Sequence, residues 1–431
     1  MRQKGVELNR QIHCWRVIVM TVLIATLLAA CGNDEDQEPA ASASTATHIV
    51  PAAAPDNSPV ATPPPVPDAT PPPSPASETP VSLSPRERAA VQPNELGVIP
   101  ILEYHLFTTD PAAEDHFTRT IEDFHADLQW LYDHEFYVIP MADLVRDNIS
   151  APAGKHPVVL TFDDASPSQF RLIEQPDGNL LVDPDSAVGV MEAFFATHPD
   201  FGRGGFFALL NFNCFASSSE PGQMQYCERK LRWLAENGYE IGNHTIDHQD
   251  LLDVSDKEFK RQLCELWDWI EQNVPASGQL PSVIAMPYGN YPDKDMHQAQ
   301  RAMLRDGYWY EGEEYGVEGA LMVGAEPAPS PSSATWDKVW IPRIQAFDDE
   351  LGRWFPAFAD GGVILYTSDG RPGVITVPDP LPGWLDGTLD PDLIAASGKT
   401  LTQYDSDTGQ TTDGTTGAPA GWHRRETIFT G

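Results

Sequence analysis

Basic residues are scarce in this sequence. Of 431 residues only 27 are Lys or Arg, against 63 Asp or Glu, so the formal charge is −36. Phosphate backbones are bound by clustered bases, so no nucleic-acid partner is expected. Cysteine is scarce too: five in 431 residues exclude a small scaffold held together by disulfides. The apolar run near the N-terminus, Val17 to Ala30, has 14 residues. It falls short of the roughly 20 that span a bilayer. Hydrophobic residues make up 41%, enough for a core but below the usual globular share. What the chain has in excess is proline, 40 in all, so part of it is not expected to pack.

Composition divides the chain. Arg2, Lys4, Arg10 and Arg16 precede the apolar run, the pattern of a signal peptide over residues 1–30. The run ends Leu28-Ala29-Ala30-Cys31, which resembles the bacterial lipobox. That resemblance implies a lipid on Cys31 and a membrane as partner. The chain is then expected at the cell membrane, facing the outside of the cytoplasm. Residues 32–96 hold 15 prolines, with runs at Pro63-Pro64-Pro65 and Pro71-Pro72-Pro73. Such a stretch favours extended polyproline II and buries too little to offset its chain entropy. Residues 31–96 are therefore expected to form a disordered spacer. Residues 371–431 read as a polar tail, rich in turns from Asp405 to Gly417.

The folded part is expected over residues 97–370. Val98–Leu102, Val158–Phe162, Gly205–Leu210, Glu240–Asn243, Val283–Met286, Ala320–Val323, Val339–Arg343 and Val363–Tyr366 read as strands. Thr120 with Asp123, and Ser255 with Glu258, resemble capping boxes that open helices. Further helices are expected at Ala187–Thr197, at Met224–Asn237 and near Lys294–Asp306. Alternating strands and helices imply parallel β/α units, about seven of them. The fold class is α/β, a distorted (β/α)7-type barrel. Chemistry in such barrels sits at the C-terminal ends of strands, where His105, Asp163-Asp164, His244, His248 and Pro287-Tyr288 all fall.

Thr161-Phe162-Asp163-Asp164 places two carboxylates at a strand end. His244-Thr245-Ile246-Asp247-His248 spaces two imidazoles by four, one face of a helical turn. Together they supply a carboxylate and two imidazoles for zinc or a similar divalent ion, and leave one Asp as a base. In this order, the motifs resemble the NodB homology domain of polysaccharide deacetylases, carbohydrate esterase family four. Phe162-Asp163-Asp164 matches its first motif, His244 to His248 its second, and Pro287-Tyr288-Gly289 the tail of its third.

The resemblance implies Asp163 as catalytic base and Asp164, His244 and His248 as metal ligands. It implies the Tyr288 N–H as an oxyanion donor. The metal would be zinc, with cobalt, nickel or iron compatible. The substrate would be an acetylated amino-sugar polysaccharide of a cell wall or exopolysaccharide. Two departures stand out. The arginine that opens the third motif is replaced by Ala285, and Arg343 is a candidate to supply its charge. The late Leu-x-His motif reads Leu365-Tyr366-Thr367, without the acid His. Ile99 to His105 resembles the first strand of the exopolysaccharide branch, which implies His105 as the proton donor. A second reading, motivated by the same departures, is a non-catalytic carbohydrate-binding lipoprotein. Trp309, Tyr310, Tyr315 and Trp340 are candidates to line a sugar groove, while Trp267 and Trp269 read as packing. Cys214 and Cys227 are expected to pair, leaving Cys264 free. Gln175 to Asn179 reads as the turn of a small hairpin.

Overall fold

The computed structural model describes residues 82–412 except 277–279, 294 and 386. The signal segment, Cys31, the spacer up to residue 81 and the tail from residue 413 lie outside the described residues. Seven strands build the frame of the site: β1 (Ile101–Tyr104), β2 (His156–Phe162), β3 (Phe206–Leu209), β4 (Glu240–Asn243), β5 (Val283–Ala285), β6 (Gly319–Leu321) and β7 (Ile344–Gln345). They pair in parallel in the order β6-β5-β4-β3-β2-β1-β7. The two ends of this sheet meet at the bridges Leu321↔Ile341 and Gly324↔Ile344. The fold is thus the α/β barrel of seven strands expected from the alternation, closed by single bridges rather than by a full ladder. Pro342 sits in that closing stretch and has no N–H to give. This is why the strand expected at 339–343 is displaced to Ile344–Gln345.

Helices alternate with the strands. Thr120 caps Ile121–Asp133 by accepting from the Asp123 N–H at 3.0 Å, and Ser255 caps Asp256–Asn273 by accepting from the Glu258 N–H at 3.3 Å. The helix over Ala187–Thr197 matches its expectation end to end. The side-chain period of two sorts the strand residues. Leu102, Leu160, Phe207, Ile241 and Ile284 pack outward in one cluster with helix residues such as Leu128, Met191, Leu231 and Leu263. Ile101, Val159, Phe206, Ala285 and Ile341 share the other cluster, which fills the barrel. Gly242 belongs to that interior. A Cβ there would lie 2.0 Å from the Phe206 ring, so only glycine fits.

Composition places residues 84–96 in the spacer and 371–412 in the tail, but both are ordered. Ser84 and Glu87 form a capping box on the helix Pro85–Val91. Strands β8 (Val374–Pro378) and β9 (Thr400–Tyr404) pair in parallel, with the helix Pro391–Ala396 between them. Leu96, Ile375, Val377 and Ile394 form their small core. The segment 363–366 is not a strand. It pairs only at Val98, because Ile99 turns to bond Ala328 instead. The hairpin expected around Gln175 is present, between Leu172–Glu174 and Leu180–Val182. Cys214 and Cys227 form a disulfide and Cys264 is free and buried. Among the described residues no helix is long and apolar enough to cross a membrane.

Candidate active site

The site continues the barrel's inward columns at their C-terminal ends. Glu103 follows Ile101 by two residues, Thr161 and Asp163 follow Val159, and Arg343 follows Ile341. Each therefore faces the same interior. Arg343 is wholly buried. Its Nη1 and Nη2 each donate to one Asp163 oxygen at 2.8 Å. Nη2 also reaches Glu103 Oε1 at 3.1 Å, Nη1 reaches Thr161 Oγ1 at 3.2 Å, and Nε donates to the Met322 carbonyl at 3.1 Å. Burial opposes a charge on Asp163, but the guanidinium outweighs it and holds this carboxyl well below the usual range. Burial pushes Glu103 the other way, up to about 7, with Arg343 pulling back. Arg343 thus sets one buried positive charge between the two carboxyls.

Asp164, His244 and His248 converge beside this pair. His244 Nε2 lies 3.4 Å from Asp164 Oδ1, His248 Nε2 lies 3.8 Å from it, and the two Nε2 atoms are 3.2 Å apart. Donors about 2.1 Å from one tetrahedral ion stand roughly 3.4 Å apart, so the triad fits a divalent metal. His244 Nδ1 lies 2.8 Å from the Ala285 carbonyl. That partner keeps the proton on Nδ1 and leaves the Nε2 lone pair for the ion. The field is also right. Burial disfavours charge on His244, yet Asp163 and Asp164 outweigh it and raise its pKa. The second motif is not helical, as its spacing suggested. Thr245 and His248 have φ of 71° and 51°, and Gln262 Oε1 accepts from the Ile246 and Asp247 N–H groups. Asp164, at 74°, and Tyr288, at 58°, are also left-handed. Non-glycine residues held in that region cost about 1–3 kcal/mol each and gather at functional sites.

His105 is placed over the same cavity, of about 480 Å³, together with Glu103, Asp163, Asp164, His244 and His248. Its Nε2 is 3.7 Å from Glu103 Oε1. Burial lowers its pKa, against the pull of Asp163 and Asp164. Tyr288 sits on the rim, its ring 4.5 Å from that of His248. The four aromatic candidates do not line the cavity; Phe117 and Tyr288 do. Trp340 instead packs on Tyr291, and Tyr310 and Tyr315 belong to the hairpin of Tyr308–Tyr310 with Glu313–Tyr315, where Trp309 is exposed. Leu365-Tyr366-Thr367 lies at the other end of the barrel, beside Val98 and the first residue of β2. A histidine there would not reach the site.

Residues 208–306 match the family model described as polysaccharide deacetylase. The match is to this segment and not to the chain as a whole. Among solved structures it is similar to Streptococcus pyogenes deacetylase PplD in complex with acetate, at 17% identity over 59% of this chain and 97% of that one, TM-score 0.42. IcaB from Ammonifex degensii shares 14% identity over 61% and 97%, TM-score 0.39. A de-N-acetylase from Aggregatibacter actinomycetemcomitans shares 15% over 57% and 94%, TM-score 0.37. No curated protein matches the chain. At such identities the chemistry has to be read from this chain's own side chains.

The matched segment spans the second and third motifs, while Asp163, Asp164, His105 and Arg343 come from outside it. All seven residues read from the sequence meet at one mouth of the barrel. The residue that sequence reasoning missed is Glu103. Its signal was available: one acid inside the apolar strand Ile101–Tyr104, on the inward face.

Proposed function

We propose that this protein is a metal-dependent hydrolase that removes N-acetyl groups from an amino-sugar polysaccharide of a cell wall or exopolysaccharide. The observation that carries the reading is the convergence of the Asp164, His244 and His248 donors within 3.2–3.8 Å of one another, in the cavity that also holds Asp163 and His105. A divalent ion, zinc in the first place, would supply a water acidified toward pKa ~7 and a polarised acetyl carbonyl. Asp163 is held by Arg343 so that its carboxylate stays ionised and oriented, and takes the proton of the attacking water. The Tyr288 N–H, presented by its left-handed turn, stabilises the oxyanion. His105 gives its proton to the departing amine, which is a poor leaving group unprotonated. The lipobox resemblance supports a chain anchored through Cys31 and working outside the cytoplasm, where such polymers lie.

The test is release of acetate by the full chain from a panel of acetylated glycans. Activity is expected to vanish with a chelator and to return with zinc or cobalt. His248→Ala should lose the metal, and Asp163→Asn should keep it while losing at least about 100-fold in kcat. A wild-type protein that binds no divalent ion would end the metal-dependent reading.

A further inference from the structure

We infer that two side-chain amides are positioning residues for this site: Gln169 sets Asp163 relative to His105, and Asn213 sets Asp164 toward its ion. The inference rests on the deacetylase reading, which gives these three residues their roles. β1 and β2 pair as far as Tyr104↔Phe162, and the Asp163 N–H still donates to the Tyr104 carbonyl at 2.9 Å. His105 and Asp164 lie beyond that last rung. There the chain leaves the ladder, since Asp164 and Ala165 have φ of 74° and 51°. The carbonyls of this stretch are met by side-chain amides instead.

Gln169 is wholly buried. Its Nε2 donates to the His105 carbonyl at 2.6 Å and also to the Asp163 carbonyl. One nitrogen thus ties the residue that takes a proton to the residue that gives one. Its Oε1 is buried without a hydrogen-bond partner, which is costly. Turning the amide over would set that oxygen against two carbonyls, so the orphaned acceptor is what it costs to place both hydrogens on the site. Gln169 is itself held from outside the site. Its carbonyl accepts from the Val188 N–H at 3.0 Å, at the start of the helix Ala187–Thr197. Ser168 Oγ accepts from the Phe107 N–H at 3.0 Å, so the same turn grips the loop after β1 twice.

Asn213 Nδ2 donates to the Asp164 carbonyl at 3.1 Å. That bond fixes the peptide after Asp164, and with it the direction of the carboxylate. Its mount is braced on both sides. Cys214 is joined to Cys227, and Lys230 donates to the Cys214 and Phe215 carbonyls. The Asn211 N–H donates at 2.9 Å to the carbonyl of Thr245, which lies between His244 and His248. The disulfide loop therefore touches both halves of the Asp164, His244 and His248 cluster, whereas Gln169 is the amide that reaches His105.

The experiment compares wild type, Gln169→Met and Asn213→Leu as full chains. Zinc affinity is read by competition with a chromogenic chelator, which needs no turnover. Acetate release then gives kcat with and without excess zinc. Gln169→Met keeps the volume and loses both donors. It should lose up to about 100-fold in kcat, the scale of a misplaced reacting group, and excess zinc should not restore it. Asn213→Leu should bind zinc about 10- to 100-fold more weakly, as expected where a ligand loses its outer support, and excess zinc should return most of its kcat. A general loosening of the fold would instead lower both readouts in both variants.

An Asn213 variant with wild-type zinc affinity overturns the inference. So does a Gln169 variant with wild-type kcat, or one whose lost kcat returns with zinc. Should either variant not fold, Gln169→Glu and Asn213→Ala are read in their place; if these do not fold either, the two amides are structural and the inference falls. A wild type that binds zinc but turns over no acetylated glycan ends the deacetylase reading, while the zinc competition still decides whether Asn213 sets Asp164.

Discussion

At the scale of single residues the site is a problem of charge balance. Arg343 is surrounded by Asp163, Glu103, Thr161 and a backbone carbonyl, and no solvent reaches it. Burying an ion pair is close to neutral in net stability, but removing one partner leaves the other charge unpaired. Arg343→Met should therefore destabilise the fold by about 3–5 kcal/mol at pH 7. Arg343→Lys keeps the charge but cannot donate to both Asp163 oxygens in parallel. Its midpoint in urea should fall between wild type and the Met variant. A Met variant as stable as wild type would show that the carboxylates are solvated or protonated, and the geometry argued for Asp163 as base would lose its anchor.

At the scale of elements, two buried groups outside the site give opposite pH signatures. Glu95 precedes β1 and ties three segments together. It accepts from Tyr366 Oη and the Asp369 N–H at 3.1 Å each, and from the Thr376 N–H at 2.7 Å. Burial, with Asp369 adding to it, raises its carboxyl to about 8. Between the unfolded value near 4.5 and 8 the folded state keeps a proton that the unfolded state has lost. Stability from this group therefore falls as pH rises through that window. Lys230, under the disulfide loop, donates to the Cys214 and Phe215 carbonyls at 3.3 and 3.0 Å, and burial lowers it to about 7. Above 7 the unfolded state binds the extra proton, so its contribution rises with pH up to about 10.5. Thermal unfolding from pH 5 to 10 should show Glu95→Gln losing the downward slope and Lys230→Met the upward one. If either variant keeps the wild-type slope, that group is not the one titrating.

The same elements explain what could be read in advance. The long helices and buried strands were legible, because Phe124, Leu128 and Leu131 or Val158 to Phe162 repeat one period without interruption. The Asp164, His244 and His248 cluster was legible because each half is a short contiguous motif at a strand end. Glu103 was only half legible, because an acid in an apolar strand marks the position but not its partner, and Arg343 lies 240 positions away in sequence. The tail was not, because β8, β9 and their helix bury few apolar residues, and averaging over a polar stretch hides them.

At the scale of the molecule, those few residues decide where the domain ends. An isolated pair of strands is marginal in water, so β8 and β9 must owe their order to what they pack against. They pack on Leu96, just before β1, and Thr376 bonds Glu95 in both directions, through its N–H and its carbonyl. Leu96, Ile375, Val377 and Ile394 are each at most 1% exposed. Burying one such side chain contributes roughly 1.5–3 kcal/mol, so the four together reach roughly 6–12 kcal/mol as an upper estimate. That is comparable to the roughly 5–15 kcal/mol that holds a whole domain. A chain ending at Gly370 also leaves the Glu95 carboxyl without the Thr376 N–H that it accepts from. It is expected to aggregate or to melt far below the full chain, whereas a chain ending at Thr412 should melt with it. Limited proteolysis of the full chain should leave residues 374–404 attached to the barrel. If the chain ending at Gly370 is soluble and melts at the wild-type temperature, the barrel stands alone and the C-terminal βαβ unit is an independent appendage.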